Sequence, residues 1–150
     1  MTDSPPSTSL AMLAARMWRL SEADFLARLN ESGHPELRMR HPLVLQALEP
    51  DGARARTIAD RLGVSQQAVA ELIDDLGRRG YLERLPDPTD RRARLVVLTS
   101  KGSSVLREAE AIIEQMEREY AQRVGLDDYR TARRVMARLI EQLGGADGIG

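Results

Sequence analysis

The chain of 150 residues has no cysteine, which excludes disulfides, thiolate-held zinc and cysteine-based redox sensing. It has two histidines, His34 and His41, one beside a break signal and one at a helix start. Neither belongs to an HExxH spacing or a Cys/His cluster, so no metal site is expected. Glycine-rich phosphate loops of the Walker or Rossmann type are also missing, and the acidic pairs fall on helix surfaces. No catalytic constellation remains, so neither an enzyme nor a bound cofactor is expected. No apolar run approaches the roughly 20 residues of a membrane span. The first nine residues are polar, carry prolines and lack the basic start of a secretory signal. Together these absences predict a cytoplasmic protein with no membrane partner.

What is present suits one domain with many surface helices: 42% hydrophobic and 30% charged residues. Net charge is −1, but its distribution is uneven. From Leu76 to Lys101 there are seven basic residues (Arg78, Arg79, Arg84, Arg91, Arg92, Arg94 and Lys101) against three acidic ones (Glu83, Asp87 and Asp90), a surplus of four. Lys101 is the only lysine. Such a run is either a solvated face or a surface for a polyanion.

Positions 1 to 7 read as disordered. Helical spacing of Leu10, Leu13, Met17, Leu20, Phe25 and Leu29 predicts a helix over about 9 to 30, with Ser21 and Asp24 marking either a new start or a bend. Ser32-Gly33-His34-Pro35 breaks it, and a short helix follows at about 42 to 48, with Pro42 in its first turn. Another helix runs from about 55 to 62 and closes at Gly63. Ser65 caps the next, in which Val69, Leu72, Ile73 and Leu76 form one buried stripe; Val64 and Val69 stand at hydrophobic-staple spacing. Two strands, 81 to 85 and 93 to 98, flank a proline-containing loop. A long helix over 99 to 124 and a last one over about 128 to 143 complete the chain, with a frayed tail from Gly144. The fold expected is mainly α with a small β-hairpin.

Helix, tight turn, helix and arginine-tipped ribbon, in that order, make a device for gripping duplex DNA. The major groove admits one α-helix, and the first turn offered to it is Ser65, Gln66 and Gln67. Glutamine can bond bidentately with adenine, and a helix start can meet a phosphate. Arg91, Arg92 and Arg94 suit phosphates or a narrow minor groove. Candidate DNA contacts are therefore Arg54, Ser65, Gln66, Gln67, Ala70, Arg91, Arg92 and Arg94, with Asp90 pairing with an arginine to hold the loop. An ordinary capped helix beside a solvated turn is the plainer reading of each part alone. The alternative function is a protein-interaction or architectural module without a defined operator, favoured by Glu71, Asp74 and Asp75 on the reading helix.

The residues Val64-Ser65-Gln66-Gln67-Ala68-Val69, the run Leu76-Gly77-Arg78-Arg79-Gly80-Tyr81-Leu82-Glu83-Arg84, and Asp87-Pro88-Thr89-Asp90-Arg91-Arg92 with Leu98-Thr99-Ser100-Lys101-Gly102 resemble the MarR family of winged-helix transcriptional regulators. The resemblance covers nearly the whole chain. It implies one MarR-like domain: a winged-helix lobe at about 37 to 101, and dimerisation helices at about 8 to 33 and 102 to 146. A homodimer would place its two reading helices about 34 Å apart on a pseudo-palindrome. Packing of the terminal helices as a monomeric bundle is the alternative. Repression is the simplest action of a dimer sitting on a promoter. The resemblance also implies an aromatic or apolar small-molecule effector, with Met12, Met17, Trp18, Met39 and His41 as candidate pocket residues, although the same side chains would serve equally as core. Ala70, Glu71 and Asp74 depart from the family, many members of which carry threonine or arginine at such outward positions.

Overall fold

The computed structural model describes residues 8–144. The readings of positions 1–7 as disordered and of 145–150 as frayed fall outside them. The described elements are α1 (Leu10–Glu31), α2 (Arg40–Gln46), α3 (Ala55–Leu62), α4 (Gln66–Arg78), β1 (Leu82–Asp87), β2 (Asp90–Leu98), α5 (Ser100–Val124) and α6 (Leu126–Gln142). The chain thus adopts the expected mainly helical architecture with one hairpin.

Local chemistry sets most boundaries. Ser65 Oγ accepts from the Ala68 amide at 3.2 Å and starts α4. Gly63 ends α3 in the left-handed conformation, with φ 63°, where a side chain would be strained. α1 runs unbroken through Ser21 and Asp24, so no second helix starts there. Asp24 instead takes both Nε and Nη2 of Arg28, one turn on, at 3.0 Å each. α2 begins two residues earlier than expected and still keeps Pro42 in its first turn.

The hairpin is longer than expected. Its antiparallel register runs from Leu82↔Leu98 to Asp87↔Asp90, with an irregularity at Pro86 and Asp87 where a proline can be tolerated. Only Pro88 and Thr89 lie between the strands, so Arg91, Arg92 and Arg94 stand on β2 rather than in a loop. Ala53 bridges Val96 and ties the segment before α3 to β2.

The core joins α2, α3, α4, the hairpin and the adjoining half of α5: Val44, Leu45, Ile58, Val69, Leu76, Tyr81, Val96 and Val105 are sealed from solvent. α5 starts hard against β1. Thr99 Oγ1 accepts from the Gly102 amide at 3.1 Å and donates toward the carbonyls of Gly80 (2.6 Å) and Tyr81 (3.1 Å). A Cβ at Gly102 would lie 2.2 Å from the Tyr81 carbonyl oxygen, so only glycine lets the two backbones approach so closely.

The outer helices differ. α1 buries only Phe25 and Leu29, both in its second half, and α6 buries nothing. Leu10, Met12, Leu13 and Leu20 on α1, Val135, Leu139 and Ile140 on α6, and Leu143 just beyond it, face solvent.

Candidate nucleic-acid interface

α4 is pinned by Val69, Ile73 and Leu76, which leaves Gln66, Gln67, Glu71 and Asp74 exposed and Ala70 half-buried. Ser65 is exposed too. Its oxygen is engaged in the cap, but its hydroxyl hydrogen remains free to meet a phosphate. Gln67 Nε2 reaches Glu71 Oε1 at 3.4 Å, a weak bond that a base edge could replace.

The acids of the reading helix are largely neutralised by the chain itself. Asp74 pairs with Arg84 at 2.7 Å, joining α4 to β1. Asp75 takes Arg79 at 3.0 Å and Arg78 at 3.2 Å, and these contacts hold its carboxyl below the ordinary value. Lys101 Nζ donates to the Arg79 carbonyl at 2.9 Å and stacks over the Tyr81 ring. Four of the seven basic residues in the segment are therefore engaged within the fold. Arg91, Arg92 and Arg94 have no carboxylate within 4 Å among the described residues, and all three are exposed. The local surplus of positive charge is concentrated on one strand of the wing.

The wing's main brace is a residue that sequence reasoning passed over. Asp87 is buried; its Oδ1 accepts from the Thr89 amide (2.8 Å) and hydroxyl (2.7 Å), and its Oδ2 accepts from Arg54 Nε (2.8 Å) and Nη2 (2.6 Å). The Thr89 bonds, then Arg54, hold its carboxyl down at about 2. Asp-Pro-Thr is an Asx-turn pattern, an acid bonding the amide two residues on, and that was the available signal. Asp90 takes a lesser part, accepting from the Arg92 amide at 3.0 Å with Arg54 3.9 Å away. Arg54, a candidate DNA contact, also forms the clasp between the start of α3 and the wing: two of its guanidinium nitrogens donate to Asp87 Oδ2, while nearly half its side chain stays exposed.

A second feature is a cleft of about 370 Å³ between α1, α2 and α5. Of the five candidate pocket residues it brings together Trp18 and Met39, joined by Phe25, Leu43, Met116 and Tyr120, which the sequence reading missed. Met12 and Met17 do not line it and are exposed on α1. His41 does not line it either. It is buried beneath α2, its Nδ1 accepting from the Arg38 amide at 3.1 Å and its Nε2 3.3 Å from Asp75, and so braces α2 against α4. Burial pushes the His41 ring below its ordinary 6.5, outweighing the pull of Asp75.

Residues 37–93, which include α2, α3, α4, β1 and the start of β2, match the sequence pattern of the MarR family. Over that segment the chain is similar to the MarR family. Solved MarR-family structures align with it far beyond that segment. The PcaV transcriptional regulator of Streptomyces coelicolor is 28% identical, with a TM-score of 0.72 over 93% of this chain and 100% of its own. The reduced form of MarR from E. coli aligns at 24% identity and TM-score 0.74, over 91% and 99%. CouR from Rhodococcus jostii, bound to p-coumaroyl-CoA, aligns at 24% and 0.65, over 89% and 92%; these last two speak for the fold alone. PcaV has also been solved in complex with its natural ligand. The matched family and PcaV are transcription regulators. Among the described residues, no helix is long and apolar enough to cross a membrane.

Proposed function

We propose that this chain is a MarR-family transcription regulator, that it binds a pseudo-palindromic operator as a homodimer and acts as a repressor, and that a small molecule in the α1–α2–α5 cleft modulates its DNA affinity. The observation that carries the DNA reading is the trio Arg91, Arg92 and Arg94, left without acidic partners on a wing that packs beside α4 through the Asp74–Arg84 pair. Gln66, Gln67 and Ala70 then face base edges, Ser65 a phosphate, and β2 the adjacent minor groove. The lobe at about 37 to 101 does the binding, and the helices at about 8 to 33 and 102 to 146 pair the subunits. Solvent-facing leucines on α1 and α6 support that division. An effector that fits one spacing of the two lobes better than another shifts operator affinity by that difference. That PcaV holds its natural ligand supports an effector here.

The rival reading, a protein-interaction module, leaned on the acids of α4. With Asp74 and Asp75 each held by an arginine, the reading helix no longer presents three bare carboxylates. Selection of bound sequences from a random duplex pool tests the choice: a two-fold symmetric site, with affinity falling steeply as salt rises, is expected. Equal binding to selected and random duplexes would favour the rival. Arg92→Ala should weaken operator binding by about 1–3 kcal/mol in gel shift without unfolding the dimer; unchanged binding would remove Arg92 from the interface.

A further inference from the structure

The α1–α2–α5 cleft has an apolar floor with an acidic rim, and we infer that its effector is a lipophilic cation: a single positive charge carried on an aromatic or otherwise apolar body. This rests on the reading of the cleft as the effector site and adds the charge of the ligand to it. Phe25, Leu43, Met116 and the single tryptophan, Trp18, supply the apolar and aromatic surface. Three carboxylates border it, Glu22 from α1 and Glu110 and Glu117 from α5, and none of the described lining residues is lysine, arginine or histidine. Glu117 is already engaged by the Tyr129 hydroxyl, with Arg133 3.9 Å away. Glu22 and Glu110 have no hydrogen-bond or ion-pair partner among the described residues, so within one subunit their negative charge is uncompensated.

An anion entering this cleft would leave water, meet two unpaired carboxylates and find no donor of opposite charge. A cation of the same shape gains from both carboxylates and from the face of Trp18, an aromatic surface suited to cation–π contact. The sign of the ligand charge is thus set by what surrounds the apolar floor, while the floor sets only its size.

The test uses the purified full-length protein in sodium buffer and two probes of nearly equal size and shape, tetraphenylphosphonium and tetraphenylborate. Binding is followed by Trp18 fluorescence and by calorimetry. The cation should bind at least roughly tenfold more tightly than the anion. The double substitution Glu22→Gln with Glu110→Gln should remove that preference while leaving the melting temperature of the free protein nearly unchanged, because neither group holds a partner. If the anion binds as well as the cation and quenches Trp18, the cleft is an effector site but the charge inference is wrong. Cation preference that survives the double substitution also overturns it. If neither probe alters Trp18 fluorescence or gives heat, the effector reading of the cleft falls and the charge inference with it.

Discussion

In the winged-helix segment Val44, Leu45, Ile58, Val69 and Leu76 are closed off from solvent, whereas α6, with an apolar stripe of the same helical spacing, buries none of its residues. Polar groups do not divide this way: Asp87 makes four hydrogen bonds in the lobe, and Arg28 joins Asp24 and Glu119 across α1 and α5. The contrast lies in the apolar faces, where Leu13, Leu20 and Leu139 stay 43%, 61% and 38% exposed. A stripe at helical spacing therefore says that a face wants to be covered, and only the fold says whether this chain covers it. The lobe shares one continuous core with Phe25 and Leu29 of α1 and Val105, Ala109 and Met116 of α5; the outer faces of the terminal helices carry apolar surface that a second copy of the same chain could cover.

The sharpest way to break this contrast is to charge the uncovered face. Leu13→Glu with Leu139→Glu alters two side chains that already face solvent, so the lobe should keep its fold and melting behaviour. The dimer should fall apart in sedimentation, and operator affinity should drop by roughly a hundredfold or more, because two tethered half-site contacts become one. A wild-type chain that sediments as a monomer at micromolar concentration, or a variant that still pairs, would remove the distinction between the two regions.

A smaller effect is expected from the opposite kind of change, inside the lobe. Gly102→Ala drives a methyl group to 2.2 Å from the Tyr81 carbonyl oxygen, where the yielding partner would have to be backbone. The junction of α5 with β1 should open, at a cost of about 2–4 kcal/mol in urea unfolding. Dimerisation at temperatures where the variant remains folded should persist, since the terminal faces are untouched. A change under 1 kcal/mol would mean that the start of α5 moves freely and that the lobe is less determined than its packing indicates.

Legibility in the sequence followed the range of each interaction. The Ser65 cap, the Gly63 stop and the α4 stripe rest on residues within a few positions of one another, and they read correctly. Arg54 and Asp87 are 33 positions apart, so their clasp was invisible, and an arginine read only as a DNA contact also has a structural role. The same holds for Asp74 with Arg84, which made α4 look more acidic than it is, and for His41 with Asp75, which turned a candidate pocket residue into a brace. The cleft needs three helices to meet; the sequence pointed to Trp18 and Met39 but had no means of separating them from Met12 and Met17. The wing's true length was hidden by Pro86, which reads as a loop residue but sits at a register irregularity within a strand.

Acid offers the mildest probe, because each region holds a carboxylate brought down to about 2 by hydrogen bonds and an arginine. In the lobe Asp87 falls from an ordinary 3.8 to about 2 through Thr89 and Arg54. Between the long helices Glu119 falls from 4.5 to about 2, chiefly through Arg28 at 2.6 Å and then Gln115. Both groups bind protons more readily in the unfolded chain, so their stabilisation is complete above about pH 4.5 and is lost as pH falls toward 2. His41, held below 6.5, adds an earlier loss that begins as pH falls through 6.5. Urea midpoints should therefore hold steady at neutral pH, decline gently below 6.5 and decline again below about 4.5. Glu119→Gln should flatten the acid stage by removing the helix contribution. Asp87→Asn should flatten it too, and should also weaken operator binding at neutral pH by loosening the Arg54 clasp. If both variants bound operator equally well at neutral pH, Asp87 would hold no more of the interface than Glu119 does, and the wing would owe its position to β-pairing alone.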